Sequence, residues 1–243
     1  MNSNGYILRL DDLSVGYDKP LLKHISLRFT APMVIGLIGN NGKGKTTLLR
    51  SLSGLHRPDT GKILLNEADV YGLTSAGRSR LISLNFSSNH ISFPVSVFEL
   101  VSMGRYPYNN HWAGLTENDR LIIENALEQC QALQFKEKPV TSLSDGERQK
   151  VFIAKSIAQQ TPVMLFDEPT AFLDYASKKH FFQVMKKLAE DQERIIVISS
   201  HDIDFLTAYA DNLLMIGNEE TVLFGSTEDI SQTTYFKDHF TKK

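Results

Sequence analysis

The sequence predicts an α/β fold: a mixed sheet with a parallel centre covered by helices, an antiparallel β unit ahead of it and a helical insertion within it. Three observations carry this expectation. Apolar residues stand between polar neighbours through the first thirty positions, at Ile7, Leu8, Leu10, Ile25, Leu27 and Phe29, the pattern of strands with one solvated face. Positions 33–38 form an unbroken apolar run that leads into a glycine-rich turn and a helical pattern, as for a strand buried on both faces of a parallel sheet. In the last third, strand-length apolar runs alternate with helix-length amphipathic segments, which implies parallel strands joined by helical crossovers.

Taken in order, Gly16 and Pro20 break the first unit, so it reads as antiparallel strands. The helix from Lys45 runs through Leu48, Leu49 and Leu52 and is expected to stop near Gly54, which tolerates the left-handed conformation after a helix end. The segment 58–61 is a turn. From 88 to 150 the character changes: Pro94, a helix near 95–103, an aromatic stretch at 105–108, and a helix opening near Thr116, a good N-cap. This is the helical insertion, with 1–87 and 151–243 forming the core of a single domain. Strands are then expected at 163–166, 195–199, 213–216 and 221–224, and helices near 175–190 and from Asp202.

A chain of 243 residues, 42% of them hydrophobic, supplies a sizeable core and excludes disorder and fibre. Lys and Arg number 26 against 28 Asp and Glu, a net charge of −2 that offers no overall basic field for nucleic acid, although a local basic groove stays open. Every apolar run is far shorter than the roughly 20 residues of a spanning helix, so the chain is not expected to cross a membrane by itself. Its first residues lack the basic-then-apolar order of a secretory signal. The single cysteine, Cys130, cannot form an internal disulfide, which fits a reducing cytosol, and is expected to pack in a helix.

Gly39, Asn40, Asn41, Gly42, Lys43, Gly44, Lys45 and Thr46 fit the pattern G-x-x-x-x-G-K-[ST] between a buried strand and a helix, the context in which that loop cradles phosphates. Glycines let successive N–H groups turn toward phosphate oxygens, and the helix dipole adds positive potential. Lys45 would neutralise β- and γ-phosphate charge, Thr46 would ligate Mg²⁺, and Thr47 would add a phosphate hydrogen bond. The strand at 163–166 ends in Asp167 and Glu168. Adjacent residues point different ways, so Asp167 suits the metal's water shell and Glu168 a water in line with the γ-phosphate. The strand at 195–199 ends in a polar cluster that places His201 within reach of the same phosphate; such a histidine is otherwise structural.

Leu143, Ser144, Asp145, Gly146 and Glu147 resemble the L-S-G-G-Q signature of ATP-binding-cassette ATPases, and the family's other motifs stand in order: the phosphate loop, the Asp167–Glu168 pair, a D-loop ending at Asp174, and His201 as switch histidine. The resemblance covers nearly the whole chain. It implies a P-loop NTPase core that binds ATP and Mg²⁺, with Tyr17 as the aromatic residue that stacks on adenine. It also implies a head-to-tail dimer in which Ser144 and the Gly146 N–H of one copy bind the γ-phosphate held by the other. The segment from Glu99 to Tyr108 looks like the E-L-V-x-x-G-R-x-P-[YW] stretch of importers of iron-siderophores, haem and cobalamin, or else a surface loop. That group implies integral membrane permease subunits, a solute-binding protein, and a peripheral position on the cytoplasmic face of the membrane. The alternatives are a soluble cassette ATPase and the ATPase of another transporter class.

The chain departs from the pattern in places. Ser87 stands where the family usually has the Q-loop glutamine, so a metal contact there would run through a water, or coupling uses other groups. Ser87→Ala is expected to change ATP affinity by less than about 1 kcal/mol, the size of one water-mediated contact, with its larger effect on coupling; titration with ATP and transport assayed on one preparation check this. Lys43 adds a cation near phosphate or extends into solvent. Asp145 and Glu147 bring negative charge beside a helix N-terminus, which the dipole favours and the nearby Arg148 is expected to offset.

Overall fold

The computed structural model describes residues 5–17, 19–86, 94–108, 114–217 and 222–240; Ser87 lies outside them. Chain order runs β1 (Ile7–Gly16), β2 (Pro20–Thr30), β3 (Met33–Gly39), α1 (Lys45–Leu52), β4 (Thr60–Leu65), β5 (Ala68–Asp69), α2 (Ser75–Ser79), β6 (Ile82–Asn85), α3 (Val97–Ser102), α4 (Glu117–Gln129), α5 (Asp145–Ala158), β7 (Val163–Asp167), α6 (Tyr175–Asp191), β8 (Ile195–Ser199), α7 (Ile203–Tyr209), β9 (Asn212–Ile216), β10 (Val222–Ser226), α8 (Thr227–Gln232) and α9 (Thr234–Phe240). One sheet has the order β2-β1-β4-β5 and is antiparallel; the other has the order β10-β9-β3-β8-β7-β6 and is parallel except for β10 at its edge.

The apolar run of β3 is buried on both faces for the expected reason. Val34 and Ile38 pack on one side with Phe166, Ile196 and Ile198 and with Phe181, Phe182 and Met185 of α6. Ile35 and Leu37 pack on the other with Leu48, Leu49 and Leu52 of α1 and with Leu8, Leu10 and Phe29 of the antiparallel sheet. Each such buried side chain contributes about 1.5–3 kcal/mol. The antiparallel sheet therefore shares a core with α1 and cannot be detached without exposing both.

Three helices of the middle region begin with a reciprocal cap. Ser96 and Glu99 open α3, Thr116 and Asp119 open α4, and Ser144 and Glu147 open α5. Each pair satisfies two otherwise unpaired backbone donors. The first of these explains why α3 starts at Val97 rather than at 95. The helix N-terminus expected beside Asp145 and Glu147 is that of α5, which crosses position 150 without a break, its first turn carrying the signature and Ser156 near its end bonding Asn85 of β6 at 3.2 Å. Cys130 is buried at the end of α4.

Arg105, in the aromatic stretch after α3, turns inward and is 5% exposed. Its Nε donates to Asp119 Oδ1 at 2.8 Å, and its Nη1 donates to the Ala158 carbonyl at 2.9 Å and to Gln160 Oε1 at 3.0 Å. The guanidinium also lies 4.2 Å from the ring centre of Tyr108, whose hydroxyl bonds the Gln159 carbonyl. One side chain thus ties the start of α4 to the end of α5. Tyr106 points the other way and is exposed. Among the described residues, no helix is long and apolar enough to cross a membrane.

Candidate active site

Sheet order assembles the site. β8 lies between β3 and β7, all three parallel, so the segments that follow them emerge at one edge of the sheet. Ligand sites of open parallel sheets form at the carboxyl ends of the strands. There the loop after β3, the carboxylates ending β7 and the histidine after β8 meet around a cavity of about 300 Å³ lined by Leu21, Asn41, Gly42, Gly44, Lys45, Thr46, Thr47, Asp167, Glu168 and His201.

The loop reaches α1 through Gly42 and Gly44 at φ of +77° and +98°, a conformation that side chains disfavour. Space beside Gly42 is open. Unlike the capped helices of the middle region, α1 has no side-chain cap and no acidic residue in its first turn. Its N–H groups and dipole are left for an external anion. Lys45 is folded back over the loop, its Nζ donating to the Gly39 carbonyl at 2.6 Å and to the Asn40 carbonyl at 3.4 Å. Burial lowers its pKa, and Glu168 and Asp167 oppose the shift.

Thr46 Oγ1 donates to Asp167 Oδ2 at 2.8 Å, and Ser199 Oγ donates to Asp167 Oδ1 at 2.8 Å. The Glu168 N–H donates to Ser199, carbonyl and hydroxyl alike. Ser199, fully buried, thus fixes both acidic residues from the neighbouring strand. The sequence reading placed it only in a polar strand end, because its partners are set by strand adjacency. Leu21 was also unforeseen, since nothing in its strand pattern marks a cavity residue.

Glu168 adopts φ +50°, a left-handed conformation that costs a non-glycine residue roughly 1–3 kcal/mol and recurs at functional sites. Its Oε1 lies 3.3 Å from His201 Nε2, and its Oε2 accepts the His201 N–H at 3.3 Å. Among the described residues, no donor makes a well-formed hydrogen bond to Oε1. Burial raises this carboxyl above the usual range despite His201 and Lys45, as suits a general base. The segment carrying His201 is fixed in turn: Asp202 accepts from Thr170 and from Lys178 Nζ, each at 2.7 Å.

Gly39 and Asn40 take part through their carbonyls, and Lys43 does not line the cavity. Tyr17, Ser144, Gly146 and Asp174 lie outside it. Tyr17 is exposed, its hydroxyl accepting from Arg50 Nη1. Ser144 caps α5 and gives its hydroxyl proton to Glu147 Oε2 at 2.8 Å; Arg148 pairs with Asp145 at 2.9 Å. A Cβ on Gly146 would lie 2.9 Å from the Phe172 carbonyl, so signature and D-loop abut. Asp174 caps α6 by accepting the Ser177 N–H, and this bond lowers its pKa.

A buried strand, a glycine loop on an uncapped helix, and a cluster of Thr46 from that helix with Asp167 and Glu168 from the end of β7 define a P-loop nucleoside triphosphatase fold. Residues 22–171 match the family described as ABC transporter, and the chain belongs to that family. It is 32% identical over 230 residues to the achromobactin transport ATP-binding protein CbrD of Dickeya dadantii, covering 94% of this chain and 86% of that protein. It is 38% identical over 185 residues to the cobalamin import ATP-binding protein BtuD of Halobacterium salinarum, covering 76% of this chain and 46% of that protein, so the match spans about half the length of that relative. Among solved structures, a transporter described as of metal-chelate ABC type, in an inward-facing conformation, superposes with a TM-score of 0.82 at 27% identity, covering 96% of this chain and 88% of that one.

Proposed function

We propose that this chain is the ATP-hydrolysing subunit of an importer for an iron-siderophore, haem or cobalamin-type solute. It would work on the cytoplasmic face of a membrane beneath separate permease subunits, with a solute-binding protein in the complete system. The names of the relatives support the transported class. The chemistry rests on one observation: Thr46, Asp167, Ser199 and Glu168 form a continuous hydrogen-bonded cluster, of which Thr46, Asp167 and Glu168 line the cavity beside the glycine loop.

ATP is the substrate. Its β- and γ-phosphates would take the loop N–H groups of 42–47 and draw Lys45 Nζ from the Gly39 and Asn40 carbonyls. Among the described residues, no group of three or more His, Cys, Asp or Glu forms a ready-made metal site. The available donors, a hydroxyl and a carboxylate, suit Mg²⁺, which completes its shell with phosphate oxygens and water. Bound there by Thr46 and Asp167, the ion would neutralise phosphate charge. Glu168 would accept a hydrogen bond from the attacking water and orient it, and His201, beside Glu168, would donate toward the γ-phosphate.

Ser144 and Gly146 do not line their own cavity, and Ser144 is exposed and Gly146 half-buried, which supports their use in trans by a second copy, head to tail. The Ser144 hydroxyl would then turn from Glu147 to the partner's γ-phosphate. The core of 1–87 and 151–243 and the signature subdomain of 88–150 would move as parts of one domain on closure. Sedimentation of Glu168→Gln protein is expected to show a dimer with ATP and a monomer without it, and Ser144→Arg is expected to abolish the dimer. An ATP-dependent dimer that survives Ser144→Arg would refute the trans arrangement.

A further inference from the structure

Tyr17 follows β1 with 59% of its surface exposed, yet it is held at two points. Its ring centre lies 4.5 Å from that of His56 with the planes at 43°, and its phenol oxygen accepts from Arg50 Nη1 at 3.0 Å. His56 is itself anchored on three sides. Its N–H donates to the Arg50 carbonyl at 3.2 Å, its carbonyl accepts from the Tyr71 hydroxyl, and its Nε2 bonds the Gly16 carbonyl. A carbonyl only accepts, so Nε2 carries the proton. Gly16 cannot be replaced without moving the turn, because a Cβ there would lie 2.1 Å from the Lys19 carbonyl. The acceptor that fixes the imidazole is therefore set by the hairpin itself, which pairs Gly16 with Pro20 beside the cavity residue Leu21.

Holding an exposed aromatic ring costs side-chain entropy. Here the cost falls on a ring that leans on His56, is tied at its hydroxyl to Arg50 and is otherwise exposed, on the hairpin that carries the cavity residue Leu21. We infer that His56 is a positioning residue for the nucleobase: it backs Tyr17 so that the open face is presented to a purine before nucleotide arrives. Arg50 holds the hydroxyl and, lying 5.4 Å from the Phe86 ring centre, ties the platform to the end of β6. The inference rests on Tyr17 as the adenine platform and adds what orients it.

Calorimetric titration of the full chain with a β,γ-imido ATP analogue, and separately with inorganic tripolyphosphate, tests this. Tripolyphosphate has no base and bypasses Tyr17. His56→Ala is expected to weaken the analogue about three- to tenfold, the worth of one ordered aromatic contact, while tripolyphosphate affinity and kcat at saturating ATP stay within about twofold and the loss appears in KM. Tyr17→Ala should show the same loss, and the double variant should be no weaker than Tyr17→Ala, since His56 acts through Tyr17. Unchanged analogue affinity in His56→Ala alongside a loss in Tyr17→Ala overturns the inference and leaves the platform standing. Additive losses, or a fall in tripolyphosphate affinity, also overturn it. No loss in Tyr17→Ala removes the platform and the inference together.

Discussion

Glu168→Gln is expected to lower steady-state ATP turnover by about 10²-fold or more, the usual worth of a positioned general base, while ATP affinity stays near that of the parent chain. The amide keeps the shape and can still meet the His201 N–H, but it no longer accepts from water as a carboxylate does. Phosphate release and equilibrium ATP binding, measured on the same preparation, separate the two effects; near-normal turnover would remove Glu168 from the chemistry. The pH dependence follows from burial, which raises the Glu168 carboxyl. A carboxyl with a raised folded-state pKa binds its proton more tightly folded than unfolded, so ionising it at neutral pH destabilises the fold, and that stability returns as pH falls through the folded value. Glu168→Gln should therefore raise the melting temperature of the nucleotide-free chain at neutral pH, with the gain shrinking in acid. Wild-type turnover should begin to fall on the acid side at a higher pH than an ordinary carboxylate would give. An inactive variant that melts higher cannot owe its inactivity to misfolding.

Arg105→Ala is expected to lower stability by about 3–5 kcal/mol, the size found when one partner of a buried ion pair is removed. The side chains of Arg105 and Asp119 are 6% and 5% exposed, so little water can replace the lost contact. Removal also strips a donor from the Ala158 carbonyl at the end of α5. Burial alone would raise the Asp119 carboxyl; the Thr116 hydrogen bonds and the Arg105 guanidinium outweigh it and hold it below the usual range. In the wild type, this stabilisation is present above the unfolded carboxylate value and is lost only as pH falls through the depressed folded one. Without Arg105, burial is opposed by Thr116 alone and the folded pKa rises. Protonation then relieves the unpaired charge, so the stability gap should narrow as pH drops through the carboxylate range. Urea denaturation across that range checks both size and sign. Arg105→Lys should lose less, keeping the charge but not the two-nitrogen contact with Asp119 and the end of α5. A loss under about 1 kcal/mol in Arg105→Ala would mean that the pair is not a strut between α4 and α5.

What the sequence by itself determined is local in the chain. The phosphate loop, the carboxylate pair, the strand that precedes each, and the cap at Thr116 are written in residues a few positions apart, where spacing alone dictates backbone geometry. The apolar run of β3 was legible for the same reason, since a strand buried on both faces needs no polar residue. β6 was not, because Ser83 and Asn85 interrupt its apolar pattern; both are buried, their polar groups satisfied by Thr161 and Ser156, partners that only the folded chain supplies. Likewise the tertiary structure decided that β8 lies between β3 and β7, that Ser199 bridges Asp167 and Glu168, that Glu168 is turned toward His201, and that Arg105 faces inward onto Asp119 while Tyr106 faces out. Each of these joins residues far apart in sequence through burial. A buried polar group must find a partner, but the sequence does not say which one, because the partner is chosen by strand order and helix packing.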